Sequence, residues 1–213
     1  MRAVDLSLLL RSGMQVYPGD PEVEIDGALT VPRDGVAVAR LGLNSHTGTH
    51  LDAPAHTIVG GRTVEDIPLE WLDGDALVLR ALDPQPQTAI DEDGIAGGLP
   101  ERLPGIVLVA TGWDRHAGTP EALAHPYLSP ALAEAIVARG ARVVGIDAFS
   151  PDPTGDPGSA FPAHAAILGA DGVIVENLTG LDRVPDRVRV SLMPLRVAGG
   201  DGSPIRAVAW LDA

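Results

Sequence analysis

Four side chains of metal-binding types lie in the segment HTGTHLDAPAH, which covers residues 46–56. They are His46, His50, Asp52 and His56, and they include three of the chain's six histidines. Imidazole nitrogens and carboxylate oxygens are ligands of zinc and of other divalent first-row metals. The chain has no cysteine, so thiolate ligands, disulfides and cysteine nucleophiles are excluded. The segment therefore predicts a divalent-metal site.

The spacing of these side chains requires a bend in the backbone. In a straight strand the Cα atoms of His46 and His50 would lie about 13 Å apart, whereas a metal–nitrogen bond measures about 2.1 Å. A regular helix would bring the two histidines to one face but would turn Asp52 away from them. Gly48 permits a backbone conformation that other residues avoid, and Pro54 disfavours helix at the residue before it. We therefore expect a folded ligand loop.

Composition and charge exclude several classes of function. The 213 residues are 45% hydrophobic and 21% charged, which is typical of a globular protein, and we expect one domain over residues 1–213. The net charge of −14 repels phosphate backbones and anionic membranes, so we expect no nucleic-acid or membrane partner. The absence of lysine excludes Schiff-base chemistry and a P-loop. Without a signal peptide or an apolar stretch of about 20 residues, a cytoplasmic location is expected.

The elements that must position these side chains predict an α/β fold with a mixed sheet, because the helices are too few for a regular βαβ array. A helix is expected over 129–140, with Ser129 as its N-cap, and a shorter one over 161–172. Short apolar runs, mostly β-branched, predict buried strands. These runs cover residues 75–82, 105–111, 141–147 and 172–178.

The remaining segments predict peripheral strands and loops. Residues 22–31 alternate as a half-buried strand would, and AGGDGS (198–203) has the composition of a hairpin turn between the last two strands. Residues 150–160 are rich in Pro, Gly and Asp, and we expect them to form an exposed loop. Further strands are expected over residues 3–10, 35–43, 187–197 and 204–211.

Several segments resemble the metal-dependent cyclase family, which includes bacterial kynurenine formamidases and isatin hydrolases. HTGTHLDAPAH matches the family signature His-x-Gly-Thr-His-x-Asp-x-Pro-x-His. Other stretches resemble further family segments in the same order, so that the resemblance covers nearly the whole chain. These stretches are YPGDP (17–21), TGWD (111–114), FPAHAAILGADGVIVENLTGLDRVP (161–185) and MPLRVAGGDGSPIRAVAWL (193–211).

The resemblance implies a swivelling β/β/α domain with a mixed sheet and a small barrel-like core, assembled into a homodimer or homotetramer. It implies one or two divalent ions per subunit, zinc in most members and manganese in some. His46, His50 and Asp52 match the ligands of the first metal. His164 and Glu176 match those of the second, and Asp52 and Glu176 are each placed to bridge two ions.

The resemblance also implies that His56 is the catalytic acid/base. A metal-bound hydroxide would attack an amide or formamide carbonyl, and His56 would pass the proton to the departing amine. Independently of the resemblance, Glu176 ends the apolar run GVIVE, where a buried carboxylate is costly without a cation or a partner. The other two histidines, His116 and His125, match no motif and are expected at the surface.

The substrate is expected to be a small aromatic amide resembling N-formylkynurenine. Tyr17 stands where the family's formamidases often carry tryptophan, and Ala165 where they carry a second histidine; both departures fall at the expected pocket. Tyr17 is a candidate to stack on an aromatic substrate, or else a turn-packing residue. Phe149, Phe161 and Trp113 are further lining candidates. The alternatives are ring opening of a cyclic amide, as in isatin hydrolases, a biosynthetic cyclase or dehydratase reaction, and a non-catalytic binding protein, which an intact His56 disfavours.

Overall fold

A computed structural model describes residues 2–155 and 161–211 of the chain. Its helices are α1 (Val31–Asp34), α2 (Leu69–Leu72), α3 (Pro130–Ala138) and α4 (Pro162–Gly169). Its strands are β1 (Arg2–Asp5), β2 (Glu24–Leu29), β3 (Val38–Gly42), β4 (His50–Asp52), β5 (Asp73–Arg80), β6 (Ala89–Ile90), β7 (Ile106–Ala110), β8 (Tyr127–Leu128), β9 (Val143–Ile146), β10 (Val173–Glu176), β11 (Arg187–Ser191), β12 (Gly202–Pro204) and β13 (Val208–Leu211).

Nine strands form one mixed sheet in the order β1-β13-β11-β5-β7-β9-β10-β4-β12. The four central strands β5, β7, β9 and β10 run parallel to one another. The strands on either side of them pair antiparallel. The mixed sheet expected from the sequence is therefore confirmed.

The sheet is curled, so that strands from both of its ends line one core. Val4 of β1 and Leu51 of β4 belong to the same buried cluster as Leu108 of the central strand β7. A hydrogen bond of 2.8 Å from the backbone N–H of Leu8, which follows β1, to the side-chain Oγ1 of Thr49, which precedes β4, ties the two ends together. The curled sheet agrees with the barrel-like core that the resemblance implies.

The opposite face of the central strands is covered by α3 and α4. The buried stretches of these strands are apolar throughout rather than alternating, because both of their faces are covered. These stretches are residues 76–79, 106–110, 143–146 and 173–175. Helix α3 begins as the sequence predicts, with Ser129 Oγ accepting a hydrogen bond of 3.2 Å from the Leu132 N–H. Side chains from the two helices and the strands form a second buried cluster, which includes Val107, Val144, Ile174, Leu132, Ile136 and Ile167.

The hairpin of β2 and β3 is more exposed than its alternating sequence indicates. In the part of the chain that the structure describes, these two strands pair with each other and with no other strand. Every residue of β3 is exposed, and in β2 Ile25 alone is partly buried. The strand expected over 22–31 is present as β2, but its expected half-burial is wrong within this subunit, because the apolar face of the hairpin meets neither buried cluster.

Four further expectations need correction. The AGGDGS segment (198–203) does not join the last two strands, because it leads into β12, which pairs with β4, while β11 and β13 pair directly. Ser150 and Asp152 are buried rather than exposed; residues 156–160 of that expected loop lie outside the described residues. Helix α4 ends at Gly169 rather than at residue 172, and strand β1 ends at Asp5 rather than at residue 10.

Within residues 2–155 and 161–211, no helix has the length and apolar character that a membrane span needs.

Candidate metal centre

Strand β4 carries the centre of the HTGTHLDAPAH segment. Because side chains alternate along a strand, His50 and Asp52 both face outward, away from the core inside the curled sheet. Gly48 has φ +62°, so it makes the bend that the sequence predicts. A Cβ atom there would lie 2.6 Å from Leu10 Cδ2, so the end of the Leu10 side chain would have to move to admit a side chain at this position. The bend returns His46 to the side of the sheet on which His50 and Asp52 lie.

Two distant segments complete the cluster. Glu176 ends β10 and lies directly opposite His50 in the antiparallel β4–β10 pair. His164 lies in the first turn of α4, which packs against β10. The structure therefore brings together all five side chains that match the family's metal ligands.

The donor atoms fall into two sets that share Asp52. The first donor set is His46, His50 and Asp52, and the second donor set is Asp52, His164 and Glu176; within each set the donor atoms lie within 4.8 Å of one another. Asp52 Oδ1 lies 2.7 Å from His46 Nδ1 and 3.3 Å from His50 Nε2, whereas its Oδ2 lies 3.7 Å from His164 Nε2. The two Glu176 oxygens divide in the same way, at 3.3 Å from His50 Nε2 and 3.5 Å from His164 Nε2.

Four of these separations, from 3.3 to 3.7 Å, suit donors that share a cation, whereas the 2.7 Å between His46 and Asp52 is a hydrogen-bond distance. Two donors on one ion, with bonds of about 2.1 Å at tetrahedral angles, lie about 3.4 Å apart. Among the described residues, His50 Nε2, Asp52 Oδ2 and Glu176 Oε1 are buried and have no hydrogen-bond partner. Buried polar atoms without a partner are costly. A divalent cation at each set would satisfy all three, so the side chains present fit a metal centre.

Each histidine of the two sets uses its other ring nitrogen to contact a protein acceptor. His50 Nδ1 lies 2.8 Å from the backbone carbonyl of the residue two positions earlier. His164 Nδ1 lies 2.7 Å from Asp152 Oδ2, and His46 Nε2 lies 2.9 Å from Asp201 Oδ2. Such contacts fix the tautomer and the orientation of a ligating imidazole. The remaining nitrogen of each ring therefore faces the shared site.

Asp152 and Asp201 are functional candidates that the sequence analysis missed. Asp152 is fully buried and also accepts hydrogen bonds from the backbone N–H groups of Ala163 and His164, at 2.8 and 2.9 Å. It therefore holds the start of α4 as well as the His164 ring. The signal available in the sequence was the position of Asp201 within a segment that resembles the family, although nothing local pairs it with His46, 155 residues earlier.

The carboxylates of the cluster stabilise positive charge. Burial lowers the pKa of His164, but its contacts with Asp152 and Asp52 raise it further, to about 10. Burial lowers the pKa of His50 as well, yet the neighbouring Asp52 and Glu176 hold that pKa well above its ordinary value. Burial raises the pKa of Asp52, and the neighbouring histidines lower it further, to well below its ordinary value. Protons on the histidines are one source of this positive charge, and a bound divalent cation would be another.

His56 lies beside the two donor sets and belongs to neither. It ends a 3-10 turn, and its ring centroid lies 4.1 Å from that of His46. Its Nδ1 lies 3.5 Å from Asp201 Oδ2, and 31% of its side chain is exposed. A third donor group, His46, His56 and Asp201, is formed here. Burial lowers the pKa of His56 below its ordinary value of 6.5, which favours the neutral ring.

A cavity of about 290 Å³ opens over the cluster. Its walls include Tyr17, Phe149 and Phe161. The chain has only two phenylalanines and two tyrosines, so three of these four residues line this cavity. The rings of Tyr17 and Phe149 lie 6.3 Å apart, and Phe161 meets His164 edge-on at 5.5 Å. An unusually aromatic wall for this chain therefore faces the candidate metal centre.

Four other residues singled out in the sequence lie elsewhere. Trp113 is buried and lines a separate cavity, so it is not part of this pocket. His125 is buried, with Nε2 2.7 Å from Thr154 Oγ1, which makes the expected surface position wrong. His116 is partly exposed and packs on Trp113 at 4.7 Å. Ala165 is exposed and does not line the cavity, so the expectation that it touches the pocket is also wrong.

Comparison with known proteins places the chain in a family. A kynurenine formamidase from Salinibacter ruber is 31% identical over 211 residues, covering 98% of this chain and 97% of that protein. The structure of an isatin hydrolase bound to the product analogue thioisatinate matches with a TM-score of 0.83 at 23% identity, covering 99% of this chain and 92% of that one. A potential metal-dependent hydrolase with cyclase activity matches with a TM-score of 0.76 at 27% identity, covering 98% and 96%.

The model of the "Cyclase" family matches residues 4–153, which is more than half of the chain. Together with the relative that is similar along its whole length, this match means that the chain belongs to the cyclase family.

Proposed function

We propose that this protein is a metal-dependent hydrolase that cleaves the amide or formamide C–N bond of a small aromatic substrate. The observation that carries the proposal is the pair of donor sets sharing Asp52, with His56 beside them and an aromatic-walled cavity above. The curated relative that is 31% identical along nearly the whole chain is a kynurenine formamidase, which supports the same class of reaction.

The proposed cofactor is a divalent metal, with zinc favoured and manganese as the alternative. Mixed imidazole and carboxylate donors suit zinc in particular. We assign two ions per chain, because Asp52 and Glu176 each direct one oxygen toward each donor set. Elemental analysis of the purified protein is expected to find two equivalents of zinc. A protein that takes up no divalent metal, even after supplementation, would contradict the proposal.

The proposed reaction divides the work between metal and protein. A bound divalent cation acidifies a water molecule and polarises a carbonyl group. His56 accepts a proton at Nε2 as the water oxygen forms a bond to the carbonyl carbon. It then delivers that proton to the nitrogen as the C–N bond breaks, so that the products are an acid and an amine. A neutral His56 ring is the form that this first step requires.

The cavity supports an aromatic substrate of limited size. Its volume of about 290 Å³ lies near the lower end of the roughly 300–1,000 Å³ typical of small-molecule sites. Tyr17 and Phe149 offer ring faces and edges on which an aryl group can pack. An open-chain aryl formamide such as N-formylkynurenine is the first candidate. Ring opening of a cyclic aryl amide is the second, because Tyr17 stands where the family's formamidases often carry tryptophan.

The test is a hydrolysis assay of the zinc-loaded protein on N-formylkynurenine and on isatin. We expect turnover of at least one of the two, abolished by a chelator and restored by zinc. Turnover of N-formylkynurenine alone favours the formamidase reaction, and turnover of isatin alone favours ring opening. Turnover of neither substrate by protein that contains two ions would contradict the proposed reaction.

A further inference from the structure

We propose that Asp201 is a positioning residue that orients both His46 and His56 through one carboxylate oxygen. Asp201 Oδ2 lies 2.9 Å from His46 Nε2 and 3.5 Å from His56 Nδ1. The inference rests on the proposed function, because it takes His46 as a metal ligand and His56 as the acid/base. It adds a residue that couples the two roles.

The backbone fixes the position of Asp201 beside the ligand strand. The Asp201 carbonyl accepts a hydrogen bond of 2.9 Å from the Ala53 N–H, immediately beyond Asp52. The next residue, Gly202, begins β12 and lies opposite Asp52 in the β4–β12 pair. A Cβ atom on Gly202 would lie 2.8 Å from His46 Cε1. The glycine therefore allows the turn to approach the His46 ring closely enough for the carboxylate to reach it.

The contact with His46 determines which of its nitrogens can bind metal. With Nε2 bonded to Asp201, Nδ1 is the nitrogen that faces the first donor set, 2.7 Å from Asp52 Oδ1. A carboxylate on the outer nitrogen holds the proton there and makes the inner nitrogen a better ligand. Asp201 therefore acts on the metal through His46 without touching it.

The contact with His56 determines which of its nitrogens carries the proton in the neutral ring. A carboxylate near Nδ1 favours the tautomer protonated at Nδ1, which leaves the Nε2 lone pair free to accept a proton from water. The 3.5 Å separation is longer than a hydrogen bond, as contacts of catalytic histidines often are before substrate binds. One carboxylate thus presents a basic nitrogen to the reaction and a ligating nitrogen to the metal.

Asp201, His46 and His56 also meet the distance criterion for a metal group of their own. We assign Asp201 to orientation because its oxygen already bonds the outer nitrogen of a ring whose inner nitrogen belongs to the first donor set. The Asp201 side chain is 45% exposed, whereas the Asp52 side chain shared by the two donor sets is 1% exposed. The number of bound ions separates the two assignments.

The experiment compares Asp201→Asn and Asp201→Glu with the wild-type protein and with the control Asp5→Asn. Asp5 is 46% exposed and pairs with Arg206, so the control removes a carboxylate of matched exposure that contacts no histidine. Zinc content is measured by elemental analysis and zinc affinity by competition with a chromophoric chelator. The tautomers of His46 and His56 are read from ¹⁵N NMR of histidine-labelled protein, assigned with single His→Gln variants. Values of kcat and KM on the substrate that the wild type turns over complete the set.

We expect Asp201→Asn to bind two zinc ions, with affinity at the first donor set weakened about 10- to 100-fold. We expect kcat to fall by a similar factor with KM within about twofold of wild type, and the His56 signals to shift from the Nδ1–H tautomer toward a mixture. Asp201→Glu should recover part of each loss, and Asp5→Asn should match the wild type.

Two outcomes would overturn the inference. Loss of one ion from both Asp201 variants would make Asp201 a metal ligand. Unchanged zinc affinity, tautomers and kcat in Asp201→Asn would mean that it positions nothing. Should the wild type hydrolyse neither test substrate, zinc affinity and tautomers still decide the positioning role, so failure of the proposed reaction and failure of this inference are distinguishable.

Discussion

At the scale of single residues, His56 is the histidine of the cluster that lies outside both sets sharing Asp52. We expect His56→Gln to retain both ions and to lower kcat by about 10²- to 10⁴-fold, because a glutamine amide cannot accept and return a proton. Elemental analysis beside initial rates measures the two effects on the same sample. Loss of an ion together with activity would instead identify His56 as a ligand.

Tyr17 lines the cavity beside Phe149. Replacing it with leucine removes a ring that packs 6.3 Å from Phe149, so we expect KM to rise about 5- to 10-fold, the equivalent of an aromatic pair of about 1 kcal/mol. Tyr127→Leu, which alters the chain's other tyrosine outside the cavity lining, is the matched control. Equal KM values for the two variants would exclude Tyr17 from substrate binding.

The ligands of the proposed centre were predictable to the extent that their signal is local. His46, His50 and Asp52 stand within seven residues, and His164 and Glu176 lie in a segment with its own resemblance to the family. Asp201 also lies in a segment that resembles the family, but nothing local singles out Asp201 or Asp152, because acidic residues are common in turns rich in Gly and Pro. What distinguishes them is the histidine that each contacts, and that contact exists once the sheet has formed.

At the scale of elements, the TGWD segment acts as a junction between strands. Asp147, which follows β9, accepts hydrogen bonds at 2.7 to 2.8 Å from the Thr111 N–H, the Thr111 hydroxyl and the Gly112 N–H after β7. Asp114 accepts two more at 2.8 to 2.9 Å, from the Gly180 N–H and the Thr179 hydroxyl after β10. These hydrogen bonds tie together the carboxyl ends of the three neighbouring strands β7, β9 and β10, the region from which Glu176 projects.

Asp147 makes stability depend on pH. Burial raises its pKa to about 6 from the ordinary 3.8, so the folded protein binds a proton that the unfolded chain releases, and stability falls as pH rises between these values. Asp147→Asn lacks this titration. We expect urea unfolding to show the variant gaining about 1 kcal/mol relative to wild type between pH 5 and pH 8, whatever constant offset its amide introduces. A constant difference, or one that moves against the variant, would mean that the three hydrogen bonds keep Asp147 ionised throughout.

The long apolar elements were predictable from composition, and the shortest were not. The β-branched runs became the central strands because burial on both faces demands a continuous apolar sequence. Strand β12 is Gly202-Ser203-Pro204, three residues of low strand propensity. It is a strand because β4 pairs with it, and that pairing brings Asp201 to the site. Its formation depends on tertiary context rather than on local preference.

At the scale of the whole molecule, the β2–β3 hairpin contributes no residue to either buried cluster of the described chain. Cross-strand pairing puts Ile25 and Leu41 on one face with Gly27 and Ala39, while Arg40 lies on the other face with its partner Asp26. The apolar face is exposed, and 60% of the Leu41 side chain is accessible. An isolated two-stranded hairpin is marginally stable in water. A face of this kind is stabilised when a second subunit covers it, as the expected homodimer or homotetramer would do.

Leu41, on the exposed apolar face of the hairpin, therefore provides a test of the expected assembly. We expect the wild-type protein to be a dimer or tetramer by light scattering coupled to size exclusion, over a wide range of concentration. Leu41→Ser should raise the dissociation constant at least about tenfold, because burying a leucine contributes roughly 1.5–3 kcal/mol. Arg40→Ser removes a neighbouring side chain from the opposite, polar face and should leave the assembly unchanged. A wild-type monomer, or a Leu41→Ser variant that assembles as tightly as wild type, would mean that no second subunit covers this face.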